Sequence, residues 1–302
     1  MEKYVIFHID GGIGKNIIAT AVIKSIVKSY PDYKVVVTTA YPEVFINNPN
    51  VYRVYKLNCL QYFYDDYIKN KNSIILRGEP YYSEDFFYER KHLAEIWCDV
   101  FKIPCITTKP EIFITHREYT YVLNNLKKDG PILLMHPFGG AENQNYSYSW
   151  SRDLPPDFSQ SLVNELKPYF SKILHVGRDN QPVLKDTIKI TDNLRNLFCY
   201  ISLSDKIIGI DSFVQHAAAA LNKKATVGWI SNSPNVFGYP IHDNITPIEL
   251  KTFRHKIDSY FQSDDWSGSR FYECPYDDLN LIFNKDTFIQ SILENKSQKI
   301  QF

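Results

Sequence analysis

The chain has 302 residues, with 34 Lys and Arg balanced by 34 Asp and Glu and a hydrophobic fraction of 44%. That length suits one large domain or two ordinary ones, and it buries enough surface to need no disulfide or metal staple. The apolar content excludes a largely disordered chain, and zero net charge excludes tight non-specific binding to nucleic acid, although a local basic groove stays open.

Residues 4–9 form a short apolar run closed by Asp10-Gly11-Gly12. From Gly14 the period changes: Ile17, Ile18, Ala21, Val22 and Ile26 recur at three and four positions, with Lys15, Lys24 and Lys28 between them. This predicts an amphipathic helix ended by Pro31, followed by a strand at Val35–Thr39. Strand, glycine turn, helix and strand open a parallel sheet. Strands are expected at Val51–Tyr55, Ser73–Leu76 and Glu111–Thr115, and helices at Phe86–Phe101 and Glu118–Leu126.

After Lys127–Pro131 a second series begins. Ile132–Met135 reads as a strand ending at His136-Pro137-Phe138-Gly139-Gly140, and the polar stretch Ala141–Ser151 reads as a long loop. Helices are predicted at Phe158–Tyr169, Leu194–Leu203 and Asp211–Leu221. Strands are predicted at Ile173–Val176, Ile188–Ile190, Lys206–Ile210 and Ala225–Trp229. A terminal helix is expected at Asp286–Asn295, with a polar tail. The division is residues 1–128, 129–285 and 286–302: two α/β halves and a terminal helix with tail.

No run reaches the roughly 18 apolar residues of a membrane span, and the first ten residues are interrupted too soon for a signal peptide. Cys59, Cys98, Cys105, Cys199 and Cys274 are scattered without a CxxC, which predicts reduced thiols in a cytoplasmic protein.

Ligands of such sheets bind beyond the carboxyl ends of the strands, so the turns there are the informative positions. Gly11-Gly12-Ile13-Gly14-Lys15-Asn16 fails as a P-loop, because Asn16 follows the lysine, and as a dinucleotide fingerprint, because the third glycine is absent. It reads either as a ligand-facing loop crowded with Asp10, Lys15 and Asn16 or as glycines serving only the turn. In the second half His136 either bonds a ligand or ties the loop, beside Gly139 and Gly140. A further turn follows the strand that ends at Gly177. Arg152 either clamps a diphosphate or pairs with Asp153. Asp211 or Ser212 is a natural cap for a helix whose first-turn amides suit phosphate. His216 lies one turn along, as a ligand contact or a packed core histidine. No His, Cys and carboxylate cluster has metal-site spacing.

These blocks in this order resemble the ADP-heptose:lipopolysaccharide heptosyltransferase family. Gly14-Lys15-Asn16-Ile17-Ile18-Ala19-Thr20 resembles its first loop and helix, and Asn48-Pro49-Asn50-Val51 its NPNV element. His136-Pro137-Phe138-Gly139-Gly140 resembles its HPGAG turn, and Arg152-Asp153-Leu154-Pro155 its basic residue and W-P. Asp211-Ser212 with His216-Ala217-Ala218-Ala219-Ala220-Leu221 resembles its D-(S/T)-G-x-x-H-x-A-A-A-L.

The resemblance implies the GT-B fold, two Rossmann-like parallel-sheet domains facing a cleft, with the terminal helix crossing back to the first. It implies an inverting, metal-independent glycosyltransferase that uses a nucleoside-diphosphate sugar as co-substrate and no cofactor. Arg152 would contact the donor phosphates. Asp211, Ser212 and His216, with His136, Gly139, Gly140 and Gly177, would line the donor side. Gly11, Gly12, Gly14 and Asn16 would form the acceptor-side loop. The acceptor is an unknown hydroxyl: a glycan is one candidate, and a nucleic acid stays open.

Lys15 stands where the family's general base is an aspartate, and an ammonium cannot take a hydroxyl proton. Asp10, in the same turn, is the substitute candidate, and Lys15 could instead hold an acidic acceptor or a donor phosphate. The alternative is a non-catalytic relative that binds a nucleotide or glycan.

Overall fold

The structure is a computed structural model, described here for residues 1–140, 147–249 and 274–293. The first half is a parallel sheet of β1 (Lys3–Ile9), β2 (Lys34–Thr39), β3 (Arg53–Lys56) and β4 (Asn72–Leu76), in the order β3-β2-β1-β4. Tyr4 lies opposite Lys34 and Ile9 opposite Thr39, while Phe7 lies opposite Leu76. The strand β1 is buried on both faces, as parallel strands are. Val5, Phe7 and Ile9 meet the helix α1 (Ile13–Ser29), while Tyr4 and Ile6 join Val36 and Tyr67 of the short helix α2 (Phe63–Tyr67).

The second half is a six-stranded parallel sheet. Its strands are β5 (Ile132–Met135), β6 (Lys172–Val176), β7 (Ile188–Ile190), β8 (Lys206–Ile210), β9 (Thr226–Gly228) and β10 (Asp243–Ile245), in the order β10-β9-β8-β5-β6-β7. Strand order reverses next to the first strand of each sheet, between β1 and β4 and between β5 and β8. Those are the two points where a crevice opens at the carboxyl ends.

Two expectations are corrected. The helix expected at Phe86–Phe101 is broken into α3 (Glu84–Phe87) and α4 (Leu93–Val100). Glu89 turns left-handed at φ 54°, and His92 restarts the chain with a capping box to Glu95. Residues 111–115 join no sheet. They run extended along α1, where the Glu111 amide donates to Thr20 Oγ1 at 2.8 Å, and end at Thr115, which caps α5 (His116–Leu126). The terminal helix is α10 (Lys285–Leu293), after α6 (Pro156–Leu166), α7 (Leu194–Leu203), α8 (Phe213–Ala220) and α9 (Pro234–Phe237). It packs on α6, β9 and β10, with Phe288 beside Phe158 and Ser291 donating to Asp243. Its apolar face fits the outer core of the second sheet, where Phe158, Leu162 and Ile208 are buried. Residues 294–302, with the end of the expected helix and its tail, and residues 141–146 of the expected long loop lie outside the described residues.

One apolar core spans both halves. The helices α1 and α8 cross, and Ile17 and Val22 share a cluster with Val214, Ala217, Ala218 and Trp229. So α1 is covered almost all round, Lys15 and Asn16 included, instead of showing a solvent face. A second seam joins α5 to α7. Arg195 of α7 reaches Glu118 with both Nε and a terminal nitrogen at 2.8 Å, and it also donates to the carbonyls of Phe113 (2.6 Å) and Glu43 (3.2 Å). The guanidinium pulls the Glu118 carboxyl down to about 2.

Two outcomes follow for this seam. Arg195→Met should destabilise the chain by about 3 kcal/mol in urea denaturation, because it leaves Glu118 and two carbonyls without their donor. The folded Glu118 carboxyl releases its proton more readily than the unfolded one. Its contribution is therefore complete above about pH 4.5 and is lost as pH falls towards about 2, and the Arg195→Met chain should lack that component. Equal stability of the two proteins at neutral pH would contradict the clamp.

Candidate functional site

The two crevices face each other where α1 crosses α8. On the first half, β1 ends at Asp10, and Gly11 takes φ 102°, a conformation other residues resist. A Cβ on Gly11 would also lie 2.9 Å from Lys15 Cδ. Gly12 caps α1 with its backbone alone. Gly14 lies against the second half, since a Cβ there would be 2.9 Å from His216 Cδ2.

The polar residues of this loop behave differently from one another. Asn16 is fully buried: its amide donates to the Gly12 and Gly11 carbonyls at 2.9 and 3.3 Å, and its oxygen accepts from Thr39. It ties the loop to β2, with its side chain turned into the protein. Lys15 is also buried. Its Nζ donates to Glu79 Oε2 at 2.5 Å and lies 5.0 and 5.2 Å from the ring centres of Tyr81 and Trp97. Its charge is satisfied inside the protein, so it is not free to hold a phosphate or acidic acceptor. Asp10 is half exposed, 3.1 Å from His8 Nε2 and 3.5 Å from Arg77.

On the second half, β5 leads into His136. Its Nδ1 donates to the Val176 carbonyl and its Nε2 accepts from the Ser212 hydroxyl, both at 2.9 Å. Burial holds the ring neutral by lowering its pKa to about 4, which suits one donor and one acceptor nitrogen. Ser212 occupies the N-cap position of α8, but its hydroxyl serves His136 and the first turn carries no side-chain cap. The Gln215 amide bonds back to the Ser212 carbonyl at 3.2 Å, and the amides of Phe213 and Val214 precede the first intrahelical bonds, the position where helix starts bind anions.

Arg152 lies over Gly139, where a Cβ would be 3.0 Å from Nε and 3.2 Å from Cζ. Among the described residues its charged neighbour is Asp153, at 3.6 Å, and its buried Nε makes no hydrogen bond. Asp153 is fully buried and already accepts from the Gly139 and Ser149 amides at 2.9 and 2.8 Å. The guanidinium is thus positioned by Asp153 but not consumed by it. The Gly139 carbonyl is held by Gln181 at 2.7 Å and Arg178 at 3.3 Å. Gly140 adopts φ 112°. Gly177 packs behind this turn, against Gln181 and His175.

Asp211 ends β8, accepts from Asn232, and stands 3.9 Å from His216 Nε2. Burial raises its pKa, opposed by Asn232 and Arg152. His216 contacts the Tyr239 hydroxyl at 3.0 Å and is kept neutral by burial. Asp211, His216, Gly14, Lys15 and Glu79 therefore form a continuous chain of contacts across the cleft. In the sequence Asp153 reads only as an ion-pair partner of Arg152; Glu79, Gln181 and Tyr239 were missed there and carry no local signal.

Among the described residues no group of three or more His, Cys, Asp or Glu is arranged to hold a metal ion, and no helix is long and apolar enough to cross a membrane. A hollow of about 480 Å³, lined by Phe113, Thr115, Tyr119 and Leu221, lies at the α5–α7 seam and includes none of these site residues.

No family model and no curated protein matches the sequence. Solved structures do match the fold. A glycosyl transferase family 9 protein from Veillonella parvula is 12% identical, with a TM-score of 0.67 and 96% of each chain covered. The ADP-heptose lps heptosyltransferase II of E. coli is 12% identical, with a TM-score of 0.59, covering 87% of this chain and 100% of that one. The E. coli heptosyltransferase WaaC with ADP is 10% identical, with a TM-score of 0.55, covering 86% and 99%. The fold is thus GT-B, two Rossmann-like sheets facing a cleft, related to that of glycosyltransferase family 9 and the heptosyltransferases.

The tight approach of α1 to His216 is testable. Gly14→Ala should cost about 1–3 kcal/mol, because the new methyl meets a ring fixed by Tyr239. An unchanged melting temperature would show that the helices are not held this closely.

Proposed function

We propose that the chain is an inverting glycosyltransferase that moves a sugar from a nucleoside-diphosphate sugar to a hydroxyl acceptor without a bound metal. Residues 129–285 hold the donor and residues 1–128 the acceptor. The observation that carries this reading is the Arg152 guanidinium, seated on Gly139 with no hydrogen bond from its terminal nitrogens among the described residues, at the switch point where α8 begins without a side-chain cap. That arrangement suits a diphosphate, which a planar guanidinium can hold bidentately. The similarity in fold to heptosyltransferases, one of them solved with ADP, supports the same reading.

In the reaction the acceptor oxygen attacks the anomeric carbon from the face opposite the diphosphate. The bond from that carbon to the diphosphate oxygen breaks, and the pair of electrons leaves with the phosphate. Arg152 and the first amides of α8 stabilise the departing charge in place of bulk water. A carboxylate of the first half accepts the acceptor's proton. Asp211 cannot face the diphosphate without repulsion, so its part is to accept hydrogen bonds from donor hydroxyls and to orient Arg152 electrostatically. His136, neutral and bonded on both nitrogens, holds Ser212 and so fixes the start of α8.

Arg152→Met should weaken nucleoside-diphosphate binding by about 10- to 100-fold, with little change for the nucleoside alone. Calorimetry with ADP, GDP, UDP, CDP and dTDP, each with magnesium and with EDTA, checks this. Equal affinity of Arg152→Met and the parent for the diphosphate would remove Arg152 from the donor site.

A further inference from the structure

The transfer proposed above needs a carboxylate on the first half, and two stand at its switch point: Asp10 beyond β1 and Glu79 beyond β4. Asp10 is turned to solvent, with 52% of its side chain exposed, and both its oxygens have partners in His8 and Arg77. Glu79 is 27% exposed and is linked to the donor half from two sides. Through Lys15 it adjoins Gly14, which rests on His216. Two residues further on, Tyr81 packs against Phe237, with ring centres 6.3 Å apart. The half-buried Tyr81 phenol feels the negative charge of both Glu79 and Asp211.

The hydrogen bonds of Glu79 leave one oxygen usable. Oε2 is anchored by Lys15 Nζ at 2.5 Å, and Lys15 is itself wedged between Tyr81 and Trp97. Among the described residues Oε1 receives only a long bond from the Tyr81 amide, at 3.3 Å. We propose that Glu79 is the general base of the transfer and that Lys15 is its positioning residue, anchoring one carboxylate oxygen so that the other meets the acceptor hydroxyl. This rests on the glycosyltransferase reading given above.

As the acceptor oxygen bonds to the anomeric carbon, its proton moves to Glu79 Oε1. The bond to the diphosphate breaks, and the diphosphate carries away the electron pair. Glu79 then passes the proton to water as the products leave. The lysine that takes the place of an acid after Gly14 is thus the partner of an acid supplied by β4.

The test uses the full chain and the reaction with water as acceptor, since that needs no knowledge of the natural one. Release of nucleoside diphosphate from ADP-, GDP-, UDP-, CDP- and dTDP-sugars is followed across pH, and binding of the free diphosphates by calorimetry. Glu79→Gln should lose about 100-fold or more in turnover, with diphosphate affinity within about threefold of the parent. Glu79→Asp should recover part of the activity. Glu79→Gln leaves the Lys15 charge unpaired, so Lys15→Met/Glu79→Gln, which removes both charges, serves where the single variant does not fold and should be equally inactive. Glu79→Gln within threefold of the parent, or loss confined to Asp10→Asn, would overturn the assignment while leaving the glycosyltransferase reading intact. A parent that binds none of the diphosphates and cleaves none of the sugars would overturn that reading, and this proposal with it.

Discussion

Where α1 crosses α8, Gly14 meets His216 and four alanines reduce the bulk of the second helix. Small residues let the two backbones approach until their side chains merge into one core, in which Ile17 and Val22 share neighbours with Val214 and Ala217. Each helix begins at the switch point of its own sheet. Fixing the crossing therefore fixes the distance between the two crevices, and with it the placement of Lys15 and Glu79 relative to Asp211 and Arg152. The Arg195 clamp at the α5–α7 seam holds the same relation from a second side.

The electrostatics of the cleft follow from this closeness. Charges that the crossing would bury are either paired or neutral. Lys15 has Glu79 and two aromatic faces, while His136 and His216 stay uncharged. Asp153 spends its oxygens on two backbone amides, and among the described residues the neighbouring guanidinium makes no hydrogen bond from its outer nitrogens. The Arg152 side chain is 28% exposed, so its guanidinium is accessible from the cleft.

Much of this was legible locally. Strand, glycine turn and helix patterns located the loops at Asp10, His136 and Asp211, because their signals lie within a few residues of one another. What depended on distant partners was not legible. The period of α1 showed its inner face, but nothing in it revealed that α8 covers the other, so Lys15 read as a solvent or ligand lysine. Alternating Ile112 and Ile114 suggested a strand, while the alternation arises from an extended segment lying on α1. Glu79 carried no pattern at all, since its importance comes from β4 pairing beside β1, and strand order is not written in any local stretch. The terminal helix was legible as a helix, but its docking against Phe158 depends on partners more than a hundred residues away.

The most direct measurement is a crystal structure of the chain with a nucleoside diphosphate and, separately, with the non-hydrolysed sugar donor that binds best. The account predicts the β-phosphate between Arg152 and the first turn of α8, with the sugar's anomeric carbon turned across the cleft towards Glu79. A nucleotide bound on the first half, or one on the second half that leaves Arg152 untouched, would contradict it.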